Sequence, residues 1–408
     1  MADPGPHPPL LLAQLPAALA RFLDAHGDLR LLAADRGPNP GDVVRWATPA
    51  FKAEPVARAD AVSMIVLFPT YARRLPGGRR WRATVAGMVS RPLPERSRRR
   101  VLAVAVLKRL LDLDAGDLNT DVFRRRAEAF LFQRLAGRRV EIEVAGQTVA
   151  ASRSDRTGHF QAHIDLDDEL VAAAADTLAC VARLRPAVDD PPEVTGGHQA
   201  QGVIHMVEPA GLSVISDIDD TVKITNVADR RELLRNTLLR EFAAVPGMAH
   251  VYRHWQDTGT AFHYVSASPW QLSPCLAQFI TAAGLPAGSM HLKLFRLQDS
   301  TPLGRLPSRK RSKRRVIEQI MADFPGRRFL LVGDSGERDP EVYADVARRR
   351  PDQVSGIAIR RVASKIRQRK RGERFEQVAR RLPAGLLHVF NEPAELAAVA
   401  PVLARNAP

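Results

Sequence analysis

Cysteine is nearly absent: Cys180 and Cys275 are the only two in 408 residues. That excludes a disulfide-stapled scaffold and points to a reducing, cytoplasmic setting. Long apolar runs are missing too. Nothing approaches the ~18 residues that a membrane-crossing helix needs, and Val101–Leu107 is too short. No basic segment precedes Leu10–Leu12, so a secretory signal is not expected. Negative charge is also scarce, with 45 Asp+Glu against 60 Lys+Arg for a net +15. The 45% hydrophobic and 26% charged residues exclude a largely disordered chain. A positive excess of this size speaks of partners rather than fold. Nucleic acid, an anionic membrane surface and a phosphorylated substrate all suit it. Much of it is clustered: Arg305–Arg315 holds seven basic residues and no acid, and Arg360–Arg374 holds eight against Glu373 alone. Such runs also occur as plain solvated faces.

Residues 1–58 read as a Pro-rich leader with one short helix, whose apolar stripe is Leu15, Leu19, Phe22 and Leu23. Residues 59–195 are β-rich. Trp81–Met88, Arg139–Val144, Gln147–Ser152, His159–Ile164 and Cys180–Leu184 are short strand candidates, punctuated by turn signals at Gly146 and Gly158. A small β-sandwich is expected here, with a helix over Phe123–Leu135 inserted between strands. Pro191-Pro192 and Gly196-Gly197 mark a linker. From Gly202 to the end, strands alternate with helices. Leu212–Ser216, Ala261–Ser266, Met290–Phe295, Arg328–Val332, Val354–Ile359 and Leu386–Phe390 are the strands. Apolar spacing predicts helices through Met248, Val251, Tyr252 and Trp255, through Leu272, Leu276, Phe279 and Ile280, and through Val316–Phe324. This alternation predicts an α/β unit: a Rossmann-like parallel sheet with helices on both faces. Ligands bind such sheets beyond the carboxyl ends of the strands.

Four features lie at those ends. The first strand runs into Asp217-Ile218-Asp219-Asp220-Thr221, and residues two apart on an extended chain point the same way, so Asp217 and Asp219 can converge. Two such carboxylates can act as nucleophile and proton donor, and as hard oxygen ligands for Mg²⁺. The second strand ends at Ser266, where a hydroxyl before a helix can meet an anion, with Ser268 before Pro269 read as the helix cap. Lys313 opens the third helix and could neutralise a transferring phosphoryl group, although Lys310 competes for that role. The fourth strand delivers Gly333-Asp334 and then Asp339, an acidic loop suited to a metal ion. Each string alone is explained as well by a turn, a cap or surface charge. Their order along one α/β unit is far more specific.

That order resembles the haloacid-dehalogenase superfamily of aspartyl-phosphate phosphohydrolases. The strings SDIDDTVKIT at Ser216–Thr225, FHYVSASPWQL at Phe262–Leu272 and GDSGERDPEVY within Phe324–Tyr343 are similar, more narrowly, to the phosphatidate phosphatase catalytic domain of the yeast actin-patch protein family. The resemblance spans about residues 205–395, and more weakly the β-rich stretch before it. It implies Asp217 as nucleophile, Asp219 as acid and base, and Thr221 and Ser266 as phosphate contacts. It also implies Lys313 as the charge-neutralising lysine, and Mg²⁺ on Asp217, the Asp219 backbone carbonyl and Asp334, with Asp339 close by or bonded through water. Arg360-Arg361 departs from the family's Arg-Asp. The activity so implied is hydrolysis of phosphatidate to diacylglycerol by an enzyme peripheral on an anionic membrane. Nucleic-acid ends or phosphoproteins are the alternative substrates, and an inactive membrane- or nucleic-acid-binding scaffold is the non-enzymatic alternative. Asp220 and Lys223 match the strings without a mechanistic role of their own.

Overall fold

In the computed structural model the described residues are 64–93, 120–185 without 173 and 175, 198–293 without 228 and 229, 309–362, and 375–399 without 398. The expected leader helix, the Pro191–Gly197 linker and residues 305–308 and 363–374 of the two basic runs lie outside them.

Seventeen strands are described. The first nine are β1 Met64–Leu67, β2 Thr70–Arg74, β3 Arg80–Pro92, β4 Phe132–Arg134, β5 Arg139–Val144, β6 Gln147–Ala150, β7 His159–Asp167, β8 Thr177–Arg185 and β9 Gln199–Val207. They form one sheet that is antiparallel at every pairing but β2 with β9. Burial alternates along β5, β7 and β8, as an antiparallel sheet with one wet face requires. β5 and β7 stand far apart in strand order, yet Ile142 and Val144 share a core with Phe160 and Ile164. The sheet therefore curls around its own apolar side chains.

Two expectations need correction. The Phe123–Leu135 helix is shorter and earlier: α1 covers Asp121–Glu128, capped by the Thr120 hydroxyl accepting from the Phe123 N–H, and Phe132–Arg134 is strand β4. Residues 199–207, given from Gly202 onward to the α/β stretch, instead pair as β9 with β8 and β2 of the first sheet. Their polar-apolar alternation was overshadowed by the glycines before them.

The remaining strands are β10 Gly211–Ser216, β11 Lys223–Ile224, β12 Ala243–Ala244, β13 Ala261–Pro269, β14 Ser289–Lys293, β15 Arg327–Asp334, β16 Val354–Arg360 and β17 Leu387–Phe390. All but the small β11–β12 ladder form a parallel sheet in the order β14-β13-β10-β15-β16-β17. Helices α2 Arg230–Leu238, α3 Met248–Gln256, α4 Ser273–Ala282, α5 Arg309–Asp323 and α6 Asp339–Arg349 surround it. Val214, Leu330 and Val332 point to the face covered by Val251, Trp255 and Leu276 of α3 and α4. Ile215, Phe329 and Leu331 point to the face covered by Ile317, Ile320 and Val346 of α5 and α6. The protein is thus a mixed α/β fold, and its parallel sheet has helices on both faces. Strand order reverses at β10, between β13 and β15, which opens a crevice at their carboxyl ends.

The two sheets are bolted together. Arg327 donates Nε to the Ser213 hydroxyl at 2.7 Å and Nη1 to the Glu208 carbonyl at 2.8 Å, clamping the connector into β10. Phe68, Met88, Phe123 and Phe130 enter the same core as Trp270 and Leu276. Trp270, at the end of β13, meets His159 edge-on with ring centroids 5.0 Å apart and Phe132 at 5.5 Å.

Candidate active site

The crevice gathers the acidic strings. Asp217 sits just past β10, its N–H bonded to the Val332 carbonyl of β15 at 2.8 Å. The chain then turns back on itself at Asp220, which adopts a left-handed φ of 54°. The Asp220 carboxylate makes that turn tolerable by accepting the N–H groups of Thr225, Asn226 and Val227 at 2.7 to 2.8 Å. Arg360, at the end of β16, donates to the Asp220 carbonyl at 2.7 Å. Asp220 and Arg360 therefore shape the loop. The unexpected Arg361 has an exposed side chain, and its N–H donates to the Phe390 carbonyl.

Among the described side chains, Lys313 is the lysine bonded to Asp217 and Asp339. It lies near the start of α5, is 9% exposed, and donates to Asp217 Oδ1 at 2.7 Å and Asp339 Oδ1 at 2.5 Å. The Lys310 side chain is outside the described residues. Thr221 donates to the other oxygen of Asp217 at 3.3 Å. Asp339 reaches the cluster from the first turn of α6 because residue 333 is glycine: a Cβ there would collide with the Asp339 carboxylate and lie 2.8 Å from the Tyr343 ring.

Asp217, Asp334 and Asp339 offer carboxylate oxygens within 4.8 Å of one another, and all three are buried. Asp334 Oδ1 accepts the N–H groups of Gly336 at 2.5 Å and Glu337 at 3.1 Å, whereas its Oδ2 is buried without a partner. Two of these carboxylates, Asp217 and Asp339, share the ammonium of Lys313. Burial, reinforced by their mutual repulsion, pushes Asp217 and Asp334 far above the ordinary carboxylate range. Burial works against the charge of Lys313, but Asp217 and Asp339 outweigh it and raise that amine. An all-oxygen cluster short of positive charge, with one acceptor left open, fits a hard divalent cation.

Asp219 lives differently. Its Oδ1 accepts from Lys223 Nζ at 2.7 Å and the Thr225 hydroxyl at 2.9 Å; its Oδ2 accepts from Ser266 at 3.0 Å and Ser268 at 2.7 Å. Burial alone would raise its pKa, but Lys223 and the hydroxyl donors outweigh burial and hold it below the usual carboxylate range. Ser268 is thus no helix cap. β13 continues through Pro269, and the helical turn that follows has no side-chain cap bond. Sequence reasoning missed the grouping of Lys223, Thr225 and Ser268 on Asp219. The signal was the lysine and hydroxyls within SDIDDTVKIT and VSASP, but only the turn at Asp220 brings them together. His263 is buried in the sheet against the Ser289 hydroxyl at 2.7 Å and His254 is exposed, both away from this chemistry.

Residues 212–361, which hold every one of these side chains, match the family model described as Phosphatidate phosphatase APP1, catalytic domain. This segment is similar to that catalytic domain. Over 253 residues the chain is 32% identical to phosphatidate phosphatase APP1 of Saccharomyces cerevisiae, a match covering 60% of this chain and 41% of the yeast protein. Over 165 residues it is 34% identical to an uncharacterized protein of Schizosaccharomyces pombe, covering 40% of this chain and 27% of that protein. The chain therefore spans less than half the length of these curated relatives. Among solved structures, a β-glucuronidase of Bifidobacterium dentium aligns at 12% identity with a TM-score of 0.23, over 81% of this chain and 61% of that one, too slight a likeness to bear on the fold. No helix among the described residues is long and apolar enough to cross a membrane.

Proposed function

We propose that this chain is a Mg²⁺-dependent phosphatase that hydrolyses phosphatidate to diacylglycerol through an aspartyl-phosphate intermediate. The observation that carries the reading is Lys313 joining Asp217 to Asp339 beside the open oxygen of Asp334, within the family-matched segment. An Asp217 oxygen attacks phosphorus, the bond from phosphorus to the glycerol oxygen breaks, and that oxygen takes a proton from Asp219, which on this reading is protonated in the substrate complex although its donors hold it as the carboxylate without substrate. Water then attacks the phosphoaspartate and gives a proton to Asp219, and the bond to Asp217 breaks to release phosphate. Lys313 neutralises charge on the nucleophile and phosphoryl oxygens, and Thr221 and Ser266 contact the phosphate. Asp217, Asp334, Asp339 and the Asp219 backbone carbonyl are the groups that would hold Mg²⁺, whose charge would offset that of the phosphate oxygens.

On this reading the parallel sheet, with its site at the β10 crevice, is haloacid-dehalogenase-like. The curled nine-stranded sheet is a sandwich-like second unit, with the division moved to follow Val207. The enzyme works in the cytoplasm, peripheral on anionic membrane. Its basic runs provide the attraction there, each engaged Lys or Arg adding about 1 kcal/mol. The deciding assay is phosphate release from phosphatidate in mixed micelles, beside a soluble phosphate ester and a 3′-phosphorylated oligonucleotide, each with Mg²⁺ and with a chelator. Preference for phosphatidate with Mg²⁺ supports the proposal. Preference for the oligonucleotide moves the substrate to nucleic-acid ends, and no release from any of the three points to a binding scaffold.

A further inference from the structure

Lys223 has no place in the mechanism just described, yet it is among the most completely buried cations in the protein, 1% exposed. A lysine is seldom buried without a specific counter-charge, because removing an ammonium from water is expensive. Here each of its three protons has a destination. One goes to Asp219 Oδ1 at 2.7 Å, one to the Thr225 hydroxyl at 2.7 Å, and the third side of the ammonium faces the Phe242 ring, 4.6 Å from its centroid. Nothing is left over for a substrate phosphate, and the side chain has no exposed surface with which to meet one. Thr225 in turn donates to the same oxygen of Asp219 that the ammonium touches. Ser266 and Ser268 hold the other oxygen. Four donors thus fix both oxygens of Asp219 without substrate, and once Ser266 turns to the phosphate its place on Oδ2 is open to a proton from water.

We infer that Lys223 is a positioning residue that locks the Asp219 carboxylate for the second, hydrolytic half of the reaction, in which water attacks the phosphoaspartate. The inference rests on the phosphoaspartate reading and adds to it. The β11–β12 ladder is the device that delivers the lysine: Lys223 pairs with Ala244, and the Lys223 carbonyl accepts the Asp220 N–H at 2.7 Å, so the turn that follows Asp219 also sets the ammonium. Without it, Asp219 keeps its hydroxyl partners but can pivot, and water is no longer held in line. The first half, attack by Asp217, does not depend on this lock.

The test uses the full chain with Lys223→Met, which keeps the length of the side chain and removes the charge. Steady-state turnover should fall roughly ten- to hundredfold, a fraction of what general acid–base catalysis supplies. The fall should be equal for 4-nitrophenyl phosphate and for an alkyl phosphate, because the hydrolytic step is common to both. An initial burst of nitrophenol and a phosphoenzyme that is stable to acid and cleaved by hydroxylamine should appear. Thr225→Val, which leaves every charge in place, should show a weaker version of the same burst and carries the test if Lys223→Met does not fold. Asp219→Ala is the control, and with the activated ester it should accumulate phosphoenzyme. If Asp219→Ala accumulates it and the folded Lys223 or Thr225 variant does not, Lys223 is not the lock and the proposal fails. A loss confined to the alkyl phosphate, without a burst, would place Lys223 in the first half and also overturn it. If no variant, including the control, forms phosphoenzyme, the phosphoaspartate reading itself is lost.

Discussion

Replacing Lys313 by methionine tests the charge balance of the site most directly. The ammonium lies 2.7 Å from Asp217 Oδ1 and 2.5 Å from Asp339 Oδ1. At an effective dielectric of about 20, each contact is worth roughly 6 kcal/mol of Coulomb attraction, about 12 together. Most of that is offset by the cost of burying the ammonium and both carboxylates. Breaking a buried pair has a net cost of about 3–5 kcal/mol, because the surviving charges are left without a partner. Lys313→Met should therefore destabilise the metal-free protein by ~3–5 kcal/mol at neutral pH, read by urea denaturation. Three buried carboxylates with no cation should then bind Mg²⁺ more strongly than in the parent. At one fixed, saturating Mg²⁺ concentration each tenfold fall in the dissociation constant adds about 1.4 kcal/mol of stabilisation, so the midpoint should rise more in the variant than in the parent. Turnover should still fall by at least about a hundredfold at saturating Mg²⁺, since phosphoryl charge loses its lysine. A variant that loses less than about 1 kcal/mol, or whose Mg²⁺ shift equals that of the parent, would refute the electrostatic account of the cluster.

Asp217→Asn keeps the shape of the nucleophile and leaves Lys313 its bond to Asp339; turnover should vanish while near-ultraviolet circular dichroism is retained, and near-normal activity with saturating Mg²⁺ would remove Asp217 from the role. Trp270→Ala empties the seat between Phe68, Phe132 and His159 two residues beyond Ser268; we expect a loss of about 3–5 kcal/mol together with lower turnover, whereas loss of stability with unchanged turnover would show that the first sheet does not support the Ser266–Ser268 strand end. Burial pushes His205 and His291 down from 6.5 to about 4. Their neutral forms are favoured in the fold, so their contribution is whole above pH 6.5 and is lost as pH falls towards 4, on the order of a few kcal/mol for the pair. His291→Gln should flatten the pH dependence of the urea midpoint across that window, and an unchanged slope would exclude it.

The strands and helices after residue 210 were legible because their apolar spacing serves burial on a parallel sheet with two covered faces. Tyr252 and Trp255, chosen by spacing alone, are fully buried. Asp217, Asp334 and Lys313 were legible as strand-end and helix-start residues, since topology places those ends in one crevice. The sequence could not reveal that Phe123–Leu135 divides into helix and strand, because its apolar residues serve α1 and β4 by different periods. Nor did it reveal that β9 completes the first sheet: strand membership is decided by hydrogen bonds to β2, more than 120 residues away. Within the site, the sequence alone determined which carboxylates, hydroxyls and lysines are available and in what order. Tertiary structure decided their partners. Asp217 and Asp219 stand two residues apart, but the first shares Lys313 with Asp339 and the second is held by Lys223 and three hydroxyls. That division follows from a single left-handed turn at Asp220 and from the approach of α5, so it is a property of position in space that local spacing cannot encode.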